Sequence, residues 1–358
     1  MVVLSISYAI LATSIVSAYA LPPQTYLGKP FFDVQGHRGG RGEAIENTLP
    51  AFAWGLIDGV STLELDNGLT KDGVVIVWHD EAIPAEKCKD TSPVTPDDVQ
   101  FPYVGKHIAN LTLAQIKTLD CGSQRLTTHP LQLLYPGTKI STLSEVFAFA
   151  RCVDKKREVF WNIESKINPV TPASTRSVED FVTAQHAAFL ASGYPLSQLT
   201  YQSFDWRTIV AMKKRDQRIS TSALIQPSTV TTDASGVSPW LAGVDLGAFP
   251  GGTLGARISQ AAKSVKANTL SPIAGSLPDL FTTKEMVQEA HKLGLTVVPW
   301  TVNDLTIAES LIEIGVDGII SDYPVMLRRL AEWGARSVAS QRSQAQVLKC
   351  LDEHLQRV

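Results

Sequence analysis

The sequence predicts an α/β chain, specifically a (β/α)8 TIM barrel with an insertion after the second or third strand region. Three observations carry that expectation. Short apolar, β-rich runs recur along the chain, and helix-like stretches stand between many of them. The length, 358 residues at 44% hydrophobic and 19% charged, suits one large barrel or two smaller domains. No linker and no sequence repeat divides it.

Residues 1–20, MVVLSISYAILATSIVSAYA, carry no charged side chain, and Ala18-Tyr19-Ala20 fits a small-x-small cleavage site. They read as a cleaved secretory signal, which leaves residues 21–358 as one domain. The expected location is secreted and extracellular, or periplasmic or cell-wall, according to the source. No later segment is long and apolar enough to span a membrane.

The strand candidates are FFDVQG (31–36), STLELD (61–66), VVIVWH (74–79), VFWNIE (159–164), LTYQSF (199–204), TSALI (221–225), NTLSP (268–272), TVVPW (296–300) and DGIIS (317–321). Among the helix candidates are TLPAFAWGLIDG (48–59), STLSEVFAFARCV (141–153), TKEMVQEAHKLG (283–294) and LTIAESLIEIG (305–315). The last two end in glycine, the usual residue just past a helix. Nine strands for eight places is one too many. The link NGLTKDG is too short for a parallel crossover, so 61–66 and 74–79 pair antiparallel, or one lies outside the barrel. Residues 80–140 form an irregular insert, and the tail 331–358 looks helical and peripheral.

The four cysteines form no C-x-x-C pair, which disfavours zinc. Outside the cytosol an even count suggests disulfides. Cys88 and Cys121 bracket a Pro- and Thr-rich stretch and are the favoured pair. Asn110-Leu111-Thr112 is a glycosylation sequon if the source is eukaryotic. A net charge of −3 gives no nucleic-acid footprint.

The stretch LELDNGLTKDGVVIVWHD (63–80) puts Glu64 and Asp66 two apart on a strand, so both point to one face. Glu164 and Lys166 in WNIESK do the same. In a barrel that face is the interior, near the end where active sites sit. Three convergent carboxylates repel unless a cation joins them, and oxygen-only ligands point to Mg²⁺ or Ca²⁺. His37 and His79 close strands where a general acid and base are needed. Arg38 offers a fork that suits phosphate, among the turn-permitting glycines Gly36, Gly39, Gly40 and Gly42. One divalent cation, an Arg, a Lys and two His form a phosphoryl-transfer set.

These residues resemble the glycerophosphodiester phosphodiesterase family. The matching stretches are HRG (37–39), ENTLPAF (46–52), 63–80, LTLAQIKTLDCG (111–122), STLSEVF (141–147), NIESK (162–166), QSFDW (202–206), PWTVND (299–304) and GVDGIISDYP (315–324). The resemblance implies a TIM barrel that hydrolyses a small glycerophosphodiester to an alcohol and glycerol 3-phosphate with a divalent cation. It implies metal ligands at Glu64, Asp66 and Glu164, acid/base histidines at His37 and His79, and phosphate contacts at Arg38 and Lys166. It also implies a substrate-side aromatic at Trp300 and an insert that caps the site. The chain departs from the family pattern at Ile45, where proline is common, and at Asn67-Gly68. Competing readings are a phospholipase D-type toxin or sphingomyelinase D on the same barrel, and a catalytically inactive binding barrel.

Overall fold

Polar and apolar side chains alternate along the strands, and the alternation decides what faces the barrel axis. The computed structural model describes residues 31–232, 236–250 and 252–355, so the leader expected at 1–20 lies outside the described residues. The strands are β1 (Asp33–Gly36), β2 (Thr62–Leu69), β3 (Val75–Val77), β4 (Phe160–Ser165), β5 (Leu199–Ser203), β6 (Ser220–Ile225), β7 (Thr269–Pro272), β8 (Thr296–Val297) and β9 (Gly318–Ser321). The helices are α1 (Leu49–Asp58), α2 (Leu113–Ile116), α3 (Leu143–Val153), α4 (Val178–Ala191), α5 (Trp206–Arg215), α6 (Pro227–Val230), α7 (Leu254–Ser264), α8 (Lys284–Lys292), α9 (Leu305–Glu313), α10 (Pro324–Trp333) and α11 (Gln344–His354).

The expected barrel is present. Parallel neighbours run in the order β8-β7-β6-β5-β4-β2-β1-β9. Backbone bonds close the ring between β8 and β9: Asp317 N donates to Val297 O at 2.9 Å, and Ile320 N to Pro299 O at 2.9 Å. The surplus strand is β3, which pairs antiparallel with the far end of β2, Asn67 opposite Val77. The short link between the two runs is therefore a hairpin.

Apolar residues of the strands face the helices. Leu63, Leu65, Trp161, Ile163 and Tyr201 pack with Phe52 of α1 and Phe147 of α3. The Phe147 and Trp161 rings meet edge to face at 4.8 Å. The intervening residues turn inward and are polar. Asn162 Nδ2 donates to Gln35 Oε1 at 2.8 Å and to Gln202 Oε1 at 2.9 Å, forming a layer of amides across the barrel. The register sets Glu64 beside Asn162 and Asp66 beside Glu164. The carboxylates thus sit at the C-terminal end of the strands, next to the amide layer.

Capping explains where the helices start. Thr48 Oγ1 accepts from Ala51 N, Thr142 and Glu145 form a capping box on α3, and Asp304 caps α9. Gly294 and Gly315 sit just past α8 and α9 with φ of 72° and 96°.

Between β3 and α3 the chain builds its own small core from Ile76, Trp78, Ile83, Tyr103, Ile108 and Leu119. The Cys88–Cys121 disulfide lies in that core, as the cysteine spacing leads one to expect. A second disulfide, Cys152–Cys350, ties α3 to α11. Val347, Cys350 and Leu351 of α11 are buried against the barrel helices. No helix among the described residues is long and apolar enough to cross a membrane.

Candidate active site

The turn after β1 carries the first functional pair. His37 and Arg38 are both buried, and Arg38 adopts a left-handed backbone with φ 51°. That conformation costs a non-glycine residue about 1–2 kcal/mol. It aims the Arg38 amide at Glu64 Oε2, 2.7 Å away. Gly39 follows because a Cβ there would lie 2.8 Å from the backbone of Ala51 and Phe52. Asn47, also left-handed at φ 57°, donates its Nδ2 to Asp66 Oδ2 at 2.8 Å.

Glu64, Asp66 and Glu164 converge, with one oxygen of each within 4.8 Å of the others, and all three are buried. Their charges are unequally compensated. Burial and the neighbouring Asp66 push Glu64 well above the usual carboxylate range. Burial lifts Glu164 to about 7 despite Lys166, whose Nζ is 2.9 Å from Glu164 Oε1. Burial would raise Asp66 too, but Arg38, His79 and Lys166 outweigh it and hold Asp66 low. A buried acidic triad short of positive charge fits a hard divalent cation, as its oxygen-only donor set requires.

Each histidine is gripped at Nδ1 by an aspartate. His37 Nδ1 lies 2.6 Å from Asp322 Oδ1, and His79 Nδ1 lies 3.0 Å from Asp80 Oδ1. Lys166 Nζ lies 3.1 Å from His79 Nε2. An ammonium only donates, so His79 accepts at Nε2 and carries its proton on Nδ1. Burial, Lys166 and Arg38 bring His79 down to about 4. Burial and Arg38 also lower His37, while Asp322 opposes them.

Arg38 is fixed by Glu46 Oε1 at 2.8 Å and Asp66 Oδ2 at 3.2 Å. Trp300 donates its Nε1 to Ser271 O at 2.9 Å and stands edge-on to Phe204 at 5.3 Å. His37, Arg38, Glu64, His79, Lys166 and Trp300 line one cleft of about 180 Å³. A second cavity of about 330 Å³ adjoins it through His79, Glu164, Lys166 and Phe204, and ends at Trp240. The structure therefore brings the eight residues singled out in the sequence to one mouth of the barrel.

The sequence reading missed the supports. Glu46, Asn47, Asp80 and Asp322 lie within the matching stretches but were given no role there, and Lys87 lies outside them; all five support the site residues. Asp322 had the clearest signal available, an acid immediately after the apolar run of β9.

Comparison with known proteins agrees with this geometry. The pattern of the Glycerophosphoryl diester phosphodiesterase family matches residues 37–326. The glycerophosphodiester phosphodiesterase of Caldanaerobacter subterraneus subsp. tengcongensis is 26% identical over 302 residues, covering 84% of this chain and 98% of that one. A solved structure from Silicibacter pomeroyi DSS-3, assigned as a glycerophosphoryl diester phosphodiesterase, superposes with a TM-score of 0.68 at 27% identity. It covers 86% of this chain and 95% of that one. An Oleispira antarctica phosphodiesterase solved with sn-glycerol-3-phosphate shares the fold, with a TM-score of 0.60 at 19% identity and coverage of 84% and 97%. With the family pattern spanning most of the chain and the barrel supporting it, the chain belongs to the glycerophosphoryl diester phosphodiesterase family, enzymes that hydrolyse glycerophosphodiesters.

Proposed function

We propose that the protein hydrolyses glycerophosphodiesters to an alcohol and sn-glycerol 3-phosphate, using one Mg²⁺ or Ca²⁺ and two acid/base histidines. The observation that carries this reading is the convergence of three buried carboxylates beside two aspartate-gripped histidines. Glu64, Asp66 and Glu164 would hold the cation. When bound, it would supply Lewis-acid stabilisation of charge on the phosphoryl oxygens.

The chain's own residues supply the rest. Arg38, locked by Glu46, and Lys166, locked by Glu164, present fixed positive charge to the phosphate. Asp322 and Asp80 fix the Nδ1 side of each imidazole, so proton transfer falls to Nε2, which on His79 lies 3.1 Å from Lys166 Nζ. One histidine deprotonates the nucleophile and the other protonates the departing alkoxide. The Phe204–Trp300 edge-to-face pair makes an apolar wall that excludes water from one side of the cleft.

Two disulfides fit an oxidising compartment and support the secreted location expected from the leader. The test is release of glycerol 3-phosphate from glycerophosphocholine after EDTA treatment, with Mg²⁺ and Ca²⁺ added back. Loss and recovery of turnover support the reading. Full turnover by metal-free protein rules out the carboxylate site.

A further inference from the structure

Two side chains of the 80–140 insert reach the histidines, each through one aspartate. Lys87 Nζ pairs with Asp80 Oδ2 at 2.5 Å, and the other Asp80 oxygen holds His79. His129 Nε2 lies 3.2 Å from Asp322 Oδ2, and the other Asp322 oxygen holds His37. Thr128 Oγ1, 2.9 Å from His129 Nδ1, can donate there, which leaves the Nε2 proton for Asp322.

Both are built in rather than solvated. Their side chains are 12% and 11% exposed, although Thr128, Pro130 and Leu131 around His129 are exposed. Lys87 adjoins the bridged Cys88, meets Glu46 Oε1 at 2.7 Å and lies over the Trp78 ring. The His129 segment is pinned to the barrel loop after β1. Gln132 Nε2 donates to Arg41 O and Leu133 N to Glu43 O, both at 2.7 Å.

We propose that Lys87 and His129 are positioning residues for the reaction, so that the insert aims both imidazoles. The proposal rests on His37 and His79 being the acid and base. A carboxylate held at one oxygen can still swing about its terminal bond, and the imidazole it grips swings with it. A donor on the second oxygen removes that freedom. Asp322 has a second such donor, Asn303 Nδ2 at 2.7 Å, whereas the more exposed Asp80 relies on Lys87. Loss of Lys87 therefore weighs more heavily than loss of His129.

The experiment compares kcat and KM for Lys87→Met, Lys87→Arg, His129→Ala and His129→Gln on glycerophosphocholine. Misaimed catalytic groups lower kcat on the order of 30-fold for Lys87→Met and 10-fold for His129→Ala, with KM nearly unchanged. Arg and Gln restore most of the loss. A p-nitrophenyl glycerophosphodiester then gives measurable rates in histidine-deleted backgrounds. His129→Ala should cost nothing further on His37→Ala, nor Lys87→Met on His79→Ala, while the crossed pairs multiply.

Unchanged kcat in both truncations overturns the proposal, and so does an undiminished further loss in the matched doubles, which marks a merely structural role. If a truncation fails to fold, Lys87→Gln and His129→Asn carry the same matched comparison. Wild-type turnover by His37→Ala and His79→Ala would sink the two-histidine reading and this proposal with it. Dead histidine variants beside fully active Lys87→Met and His129→Ala would sink this proposal alone.

Discussion

Asp322→Asn removes a charge from the site and leaves its shape. In the native site Oδ1 accepts from His37 Nδ1 at 2.6 Å, while Oδ2 accepts from Asn303 Nδ2 at 2.7 Å and faces His129 Nε2 at 3.2 Å. An asparagine amide has one accepting oxygen and one donating nitrogen. With its oxygen toward His37, the amide nitrogen confronts the Asn303 donor and loses the His129 contact. With its nitrogen toward His37, the imidazole must accept at Nδ1 and carry its proton on Nε2. Either arrangement loses the native aim or the native tautomer. Losses of this kind cost about 10²- to 10⁴-fold in kcat, or about 3–5 kcal/mol. Burial and Arg38 already hold His37 below its ordinary value, and Asp322 is what opposes them. Removing that opposition lowers His37 further, so the limb of the pH profile that it governs moves to more acidic pH. The assay is kcat against pH on glycerophosphocholine. A kcat within twofold of wild type, with an unmoved profile, would refute the reasoning.

Glu64→Gln should weaken Mg²⁺ and Ca²⁺ binding and turnover together. Calorimetry in two buffers should also show that the wild type releases protons on binding, because Glu64 and Glu164 are held above the usual range; equal affinity in the variant contradicts the site. Glu46→Gln leaves Arg38, Arg41 and Lys87 around a buried neutral amide and should cost about 3–5 kcal/mol in denaturant unfolding at pH 7. Those three cations outweigh burial and hold Glu46 low, so its contribution is complete above about pH 4.3 and fades as pH falls towards the folded value. The gap between variant and wild type must therefore narrow in acid, and a gap constant down to pH 2 would be wrong. Opening Cys88–Cys121, separated by 33 residues, should cost about 4 kcal/mol, and opening Cys152–Cys350, separated by 198, about 5 kcal/mol; mass mapping that finds either pair as free thiols removes the basis for both figures.

The barrel strands were legible because each is a short, local signal. Glu64 and Asp66 could be placed on one face from their spacing alone, since strand parity needs no tertiary information. Glu164 joined them through a β2–β4 register that pairs Asp66 with it, and no local pattern specifies that register. The seven-residue link NGLTKDG ruled out a parallel crossover between the runs at 61–66 and 74–79, but only the structure shows that β3 is the strand outside the ring. The supporting shell was not legible. Lys87 reaches Glu46 across 41 positions, His129 reaches Asp322 across 193, and His37 reaches Asp322 across 285. In the sequence Lys87 is one lysine in a charged loop, and His129 precedes a proline in an irregular stretch. Only the folded insert shows which side chains turn inward. Partners for the four cysteines were half legible, because Cys88 and Cys121 share one segment whereas Cys350 lies on a tail helix.

The central claim is that this cleft breaks the bond between phosphorus and the alcohol and leaves phosphate on glycerol. Phosphorus-31 NMR of a glycerophosphocholine turnover tests it most directly. The account predicts that the diester resonance is replaced by that of glycerol 3-phosphate, that EDTA stops the conversion, and that a divalent cation restores it. A phosphocholine resonance in place of glycerol 3-phosphate, or conversion undiminished in metal-free protein, would contradict it.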